Sequence, residues 1–367
     1  MRPLNNVHVL NFFRKFAVGF SLLIFMLICS CNTTAYEYNY VEPEEKGFSA
    51  EKLENLEKHL EKSGSSAMMV LVDGDVVFDW GETKKKHTIH SIRKALLNSL
   101  YGIAFYNGTI DTSATLKDLN INDIAPELSE NELNARVIDL LKSRSGVFHN
   151  AAGVSKGMLR GKPVRDTYLP GEHYYYNNWD FNVLGAILEQ ETGKSLYELF
   201  YTQIAKPLGM HDYKGKYSSI DGESEDADIP ETDGFYQYER SKSQYPAYHF
   251  RMSARDLALY GQLFLNRGNW HGDQIIPEKW IELSTKPYSL YNPDYGISYG
   301  MLWYVLMPGE HRKSKSYYHT GIGIHMLAVY PASNMVMVHR VDTEKEFNYN
   351  KGDFYKMIGL LWEAKVE

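Results

Sequence analysis

Cysteine is nearly missing from this 367-residue chain: Cys29 and Cys31 are the two it has, and none follows them. No disulfide can therefore brace the body of the protein, whose stability has to come from packing. Basic residues are in deficit, 39 Lys and Arg against 46 Asp and Glu, for a formal net charge of -7. That balance speaks against a nucleic-acid partner. The longest apolar run, Phe16 to Ile28, is too short for a comfortable transmembrane helix. The pattern H-E-x-x-H does not occur, and no carboxylate cluster is spaced to complete a metal site with His87 and His90; neither a metal nor another cofactor is expected. Repeats are absent too. What is present, 44% hydrophobic and 23% charged residues, suffices to bury a large core in one large or two small globular domains.

Residues 1 to 31 stand apart from the rest. Arg14 and Lys15 precede the apolar run, which ends in Ile28-Cys29-Ser30-Cys31, the layout of an export signal. Its end resembles a bacterial lipoprotein signal, with Ile28 and Ser30 at the preferred positions before Cys31. That resemblance implies a mature N-terminus at a lipidated Cys31, and a protein of the cell envelope anchored to a membrane and facing the periplasm or the exterior. Ordinary secretion or an uncleaved anchor is the alternative. Loss of residues 1 to 30 removes Arg2, Arg14 and Lys15 and no acid, which takes the net charge from -7 to -10. Residues 32 to 45 are polar without an apolar period and read as a tether, leaving 46 to 367 as the folded domain.

Within that domain, Ser49 to Lys62 carries leucines at 53, 56 and 60 behind a serine cap, a surface helix packed on a sheet. Ala67 to Trp80 is two apolar runs joined at Asp73-Gly74, a tight hairpin. From Ala95 to Asn107 the chain is apolar nearly all round, as a central helix would be, and Gly108 closes it. Helices are expected at Glu132 to Leu141, Phe181 to Glu191 and Asp353 to Glu363, and strands at Ile324 to Tyr330 and Met335 to Val341.

Three stretches carry chemistry. In His90-Ser91-Ile92-Arg93-Lys94 a helix opening at Ser91 places Lys94 one turn on and on the same face. Serine needs an adjacent base to become a nucleophile, and a lysine shielded from water can lose its proton and serve as one. The helix N-terminus also favours negative charge developing on a substrate. The spacing alone is weak, since Ser49-Ala50-Glu51-Lys52 shares it as a plain cap. The second stretch, Pro170 to Trp179, contains Tyr176-Asn177-Asn178; in an extended segment Tyr176 and Asn178 would face one cleft. The third is His319-Thr320-Gly321-Ile322 ahead of two strands.

Together and in this order, Ser91-x-x-Lys94, Tyr176-x-Asn178 and His319-Thr320-Gly321 resemble the serine beta-lactamase and penicillin-binding-protein superfamily, most closely its class C-like serine hydrolases. Ser145-Gly146, Pro170-Gly171 and Arg251 to Gln262, which looks like the family's helix behind the active site, add to a similarity running from about residue 46 to the end. The resemblance implies an α+β, three-layer fold: an antiparallel sheet of N- and C-terminal segments flanked by helices, with a mostly helical insertion over about 95 to 285. It implies a serine hydrolase acting through an acyl-enzyme on a small ester, amide or D-amino-acid peptide. Ser91 would be the nucleophile and Lys94 the proton acceptor, a role it could share with Tyr176, which would deliver the proton to the leaving group. A charged His319, with Lys94, is the cation available to lower the Tyr176 phenol, and which group holds the proton at rest stays open. Asn178 would orient Lys94 and the substrate amide. The oxyanion hole would be the backbone N–H groups of Ser91 and of Ile322, the residue after Gly321, each donor being worth about 3 kcal/mol in other enzymes. Relatives generally carry lysine at the position of His319, and a histidine near its ordinary pKa of ~6.5 is mostly neutral at pH 7. Carboxylate recognition is weakened, which favours an esterase or amidase over an efficient beta-lactamase.

Rival readings follow from other residues. Gly153-Val154-Ser155-Lys156-Gly157 matches the nucleophile elbow of alpha/beta-hydrolases, yet neither the preceding strand nor the following helix is expected there. The acidic run Asp221 to Asp233 lacks the ligand spacing of a calcium loop. His149, Tyr174, Tyr175 and Trp179 could line the cleft or serve as core. A beta-lactamase or DD-peptidase acting on cell-wall material is the nearest alternative, and a non-catalytic ligand-binding or sensor module is the alternative of another class. Oligomeric state is not legible.

Overall fold

The computed structural model describes residues 34–224, 226–310 and 312–366. The expected signal over 1 to 31 and its expected lipidation site, Cys31, lie outside them. Thr34 to Glu367 is one compact unit. Within the expected tether, residues 36 to 39 are tied to the fold: Tyr36 N–H donates to the Gly209 carbonyl at 2.9 Å, Val76 N–H to the Asn39 carbonyl at 2.8 Å, and Tyr36 stands edge-on to Tyr38 at 5.1 Å. Tyr36 and Tyr38 have ring faces to bury against the core, which a count of polar residues does not register.

Helix α1 (Ala50–Lys62) starts at Ser49, whose hydroxyl accepts from Lys52 N–H, and buries Leu53, Leu56 and Leu60. Strands β1 (Ala67–Val72) and β2 (Asp75–Gly81) form the expected hairpin, with Asp73 and Gly74 both at positive φ, the geometry a two-residue turn needs. After a short β3 (His87–Thr88), a single 3-10 turn at His90–Ile92 leads into α2 (Arg93–Tyr106). Its residues from Arg93 to Gly102 are all buried, in line with its unbroken apolar character.

The expected helix at Glu132 to Leu141 is two, α3 (Glu130–Leu133) and α4 (Val137–Leu141), because Arg136 is extended and Asp139 accepts from its backbone N–H. After the one-turn α5 (Lys156–Leu159), α6 (Asn178–Thr192) begins three residues earlier than expected, because the Asn177 side chain caps it by accepting from Trp179 N–H. The insertion is less helical than foreseen. Strands β4 (Tyr217–Asp221), β5 (Gly234–Tyr238) and β6 (Ala247–Met252) join β3 in a four-stranded sheet of order β3-β6-β5-β4. The acidic run between β4 and β5 contributes Asp233, which accepts from Lys86 Nζ and from the N–H groups of Lys214 and Lys216.

Helix α7 (Ala254–Leu265) is buried along its length and packs on the main sheet, and α8 (Glu278–Ser284) packs on α2. Strands β7 (Ser289–Asn292), β8 (Ile297–Tyr299), β9 (Tyr304–Leu306), β10 (Ser316–Thr320), β11 (Met326–Tyr330) and β12 (Met335–Arg340) precede the last helix, α9 (Lys351–Ala364). The main sheet is antiparallel, in the order β2-β1-β12-β11-β10-β9-β8-β7. N- and C-terminal segments meet where β1 pairs with β12, Met69 opposite Val338. Alternation divides the core: Met68, Val70, Met335 and Met337 face α1 and α9, whereas Met69, Leu71, Val336 and Val338 face α7 and α2. The result is the three-layer α+β fold that the resemblance implied.

Trp280 of α8 locks α2 in place. Its indole N–H donates to the Asn98 carbonyl at 2.9 Å, and a Cβ at Gly102 would lie 2.4 Å from its ring. Trp280→Ala should cost about 3 kcal/mol, read as a lower urea midpoint at an unchanged slope. A loss below about 1 kcal/mol would mean that the site collapses around the gap.

Candidate active site

Ser91 sits in the 3-10 turn that feeds α2, so its hydroxyl lies at the positive end of a fourteen-residue helix. The turn is entered through His90 at φ 46, a left-handed conformation that is uncommon and costly for a residue with a Cβ. His90 is held there by Thr343, whose hydroxyl is 2.8 Å from its Nε2. Arg93 anchors the same turn from within, its guanidinium 4.2 Å over the Tyr248 ring.

Lys94 is 1% exposed, and its Nζ is 2.9 Å from Ser91 Oγ. The amine packs against the rings of Phe181 and Tyr176, at 4.6 and 4.9 Å from their centroids. Burial, followed by the neighbouring Arg93, pushes its pKa well below the ordinary lysine value. Near neutrality the amine is therefore a better proton acceptor than any surface lysine. The Tyr176 phenol is hydrogen-bonded to Ser91, but burial outweighs that bond and the nearby Arg93 and raises its pKa. Tyr176 thus stays a phenol near neutrality.

Asn178 opens α6 and reaches the same cleft, though not by strand alternation: it is the first helical residue after the capping Asn177. Its Nδ2 donates to the Gly153 carbonyl at 2.6 Å, while its buried Oδ1 has no partner within the described residues. A buried acceptor left unmade is costly, and a substrate N–H would satisfy it.

Thr320, Gly321 and Ile322 form the facing wall at the end of β10. Gly321 N–H donates to the His325 carbonyl, and Ile324 N–H to the Gly321 carbonyl, both at 2.9 Å. This turn puts Ile322, 54% exposed, on the cleft. A Cβ at Gly321 would lie 2.6 Å from both the His325 ring and the Ile89 carbonyl, so a glycine is needed for the wall to approach the Ser91 turn.

His319 departs from expectation. It is 0% exposed and does not line the cleft; its Nδ1 is 2.9 Å from the Thr320 carbonyl and its Nε2 has no partner within the described residues. Burial, then the charge of Lys94, pushes its pKa down to about 3. It is neutral at pH 7 and cannot be the cation that lowers the Tyr176 phenol. The reason is its register: it lies opposite Leu327, on the face of β10 turned to the core.

The cleft encloses about 210 Å³. It also receives residues that sequence reasoning missed: His249 from β6 and Tyr304 from β9, the latter stacked on Tyr176 at 6.1 Å. Ser155, serine of the rejected elbow, lies on its rim, but it precedes one turn of helix and follows no strand. His149 and Tyr175 line an adjoining cavity of about 200 Å³, with Asn178 and Met158 on the boundary. Trp179 is core, its indole N–H donating to Asp123. His87 Nδ1 lies 2.7 Å from an Arg340 nitrogen, a cationic neighbour unsuited to a metal ligand.

A cleft at the head of a buried helix, closed by the last residues of an inner strand of an antiparallel sheet, has the architecture of the beta-lactamase and transpeptidase-like proteins. Residues 53–356 match the beta-lactamase family model, and the chain belongs to that family. A curated protein of Salmonella typhimurium, provisionally named D-alanyl-D-alanine carboxypeptidase, is 24% identical over 231 residues, 50% of this chain and 53% of its own length. The chain thus spans about half the length of the curated relatives it matches. Among solved structures, a protein of Bacillus anthracis provisionally named 6-aminohexanoate-dimer hydrolase shares the fold, with TM-score 0.65 and 20% identity over 89% of this chain and 87% of that one. So does a family VIII carboxylesterase, with TM-score 0.60 and 15% identity over 86% and 97%.

Proposed function

We propose that the protein is a serine hydrolase that works through an acyl-enzyme on a small ester, amide or D-amino-acid peptide. The observation that carries the reading is the 2.9 Å approach of the buried Lys94 amine, whose pKa burial lowers, to the Ser91 hydroxyl. In the first half-reaction Lys94 takes the Ser91 proton as Oγ adds to the carbonyl carbon, and the N–H groups of Ser91 and Ile322 receive the oxyanion. Tyr176 gives its phenolic proton to the leaving group and regains one from Lys94, so the proton taken from serine departs with the leaving alcohol or amine. Water then cleaves the acyl-Ser91 ester by the reverse relay. Asn178 Oδ1 accepts from the substrate N–H where there is one.

The neutral, buried His319 favours an esterase or amidase, because no cation stands at that strand position to hold a substrate carboxylate. The names of the curated relatives favour a second reading, a DD-peptidase or beta-lactamase acting on cell-wall material. Export and anchoring through a lipidated Cys31 are part of the proposal, and they accord with such a role at the envelope; among the described residues no helix is long and apolar enough to cross a membrane.

A fluorophosphonate probe tests the assignment of the nucleophile. Wild type and Ser155→Ala should label and Ser91→Ala should not; a screen of p-nitrophenyl esters, D-alanyl peptides and nitrocefin then separates the substrate classes. Labelling that survives Ser91→Ala, or no labelling of the folded wild type, overturns the assignment.

A further inference from the structure

A groove of about 700 Å³, more than three times the catalytic cleft, lies on the other face of the sheet between β7–β11 and α9. Thr320, at the end of β10, borders both. An aromatic path also joins them: Tyr176 stacks on Tyr304, Tyr304 stacks on its cross-strand partner Tyr318 at 5.4 Å, and Tyr318 lines the groove. The floor is apolar, with Ile297, Leu306, Met326, Phe354 and Ile358. Around it stand Arg312, Lys313 and Lys351, and no carboxylate is among the described residues that line it. On a chain with net charge -7 this is a local reversal of sign, and a groove of this size and lining is typical of a ligand site.

The catalytic cleft, at about 210 Å³, is the smaller of the two. The geometry points to the groove as a second binding site, for the apolar, anion-terminated leaving portion of an extended substrate whose scissile bond lies over Ser91. The aliphatic floor takes a chain and Lys313 and Lys351 take its terminal carboxylate, while Arg312, whose guanidinium donates to the Met307 carbonyl at 2.9 Å, adds positive charge to the rim; Thr320 lies beneath the crossing. This rests on the acyl-enzyme reading above. The acyl group passes to Ser91 Oγ, the ester C–O bond breaks, and the ω-carboxylate alcohol leaves with the proton.

The full chain is assayed with 12-acetoxydodecanoate, its neutral counterpart 12-hydroxydodecyl acetate, and p-nitrophenyl acetate. The anionic ester should show a kcat/KM roughly tenfold above the neutral one. Lys313→Glu/Lys351→Glu should erase that advantage and leave p-nitrophenyl acetate turnover unchanged; a glutamate at position 351 suits a helix N-terminus, so folding is preserved. Independently of turnover, dodecanoate should quench the tryptophan fluorescence of Ser91→Ala saturably, and Trp362→Phe in that background should remove most of the quench. Equal rates for the two long esters with p-nitrophenyl acetate still hydrolysed would sink the groove and spare the hydrolase. Dodecanoate binding with no ester turned over would do the reverse. A quench that persists in the charge-reversed protein, or that an acidic oligosaccharide displaces better than dodecanoate does, overturns the ligand class.

Discussion

Lys94→Met is expected to lower kcat on the order of 10³-fold, the middle of the range for a positioned general base, with little change in KM. The substitution replaces an amine by a chain of similar length, and the site it vacates is already apolar: Phe181 and Tyr176 pack against the amine, and burial has pushed its pKa far down. Exchanging a buried ionisable group for a well-packed apolar one is commonly neutral or stabilising, so thermal stability should hold or rise while turnover collapses. The pH profile gives a second reading. The base must be unprotonated, so kcat/KM should rise with pH through the Lys94 pKa, below the ordinary 10.5, and then stay level, because Tyr176 is raised and remains a phenol. A folded variant that keeps wild-type turnover would remove Lys94 from the base's role.

Acid should unfold this protein from a higher pH than carboxylate protonation alone would set. His319 and His339 are fully buried, and burial pushes both down to about 3; the next contributions are the charge of Lys94 for His319 and of Arg340 for His339. In the unfolded chain each takes up a proton near pH ~6.5. The folded-state pKa is the lower one, so their contribution is complete above ~6.5 and is lost as pH falls towards 3. At pH 5 the loss is about 2 kcal/mol for each, on the order of 4 kcal/mol together. Burial acts in the same direction on His87, His249 and His325. Against a typical stability of about 5–15 kcal/mol this is decisive. Urea midpoints measured from pH 7.5 to 5 should fall steeply below 6.5, and a flat series would refute the account.

Much of the site was legible because its parts are local. Ser91 and Lys94 share a helix face through a spacing of three, and Gly321 and Ile322 follow from one short segment at a strand end. His319 misled because pKa depends on depth: a tripeptide does not reveal that its imidazole turns to the core while Thr320 and Ile322 turn to the cleft. His249 and Tyr304 left no local signal, since each arrives from a strand remote in the chain. The four-stranded sheet in the insertion was missed for a similar reason. Its strand β4 is half solvated, and its parallel partner β5 is buried by contacts from outside the segment.

The residue order by itself determined the hairpin at Asp73-Gly74, the apolar central helix, the serine and lysine one turn apart, and the want of any disulfide in the body of the chain. Those properties rest on φ/ψ preference and side-chain period, which act over a few residues. Tertiary structure alone decided which groups carry charge, where Tyr36 and Tyr38 dock, and that a basic, apolar groove meets the cleft at Thr320. Each of these depends on desolvation by residues remote in sequence, and burial is a property of the assembled fold.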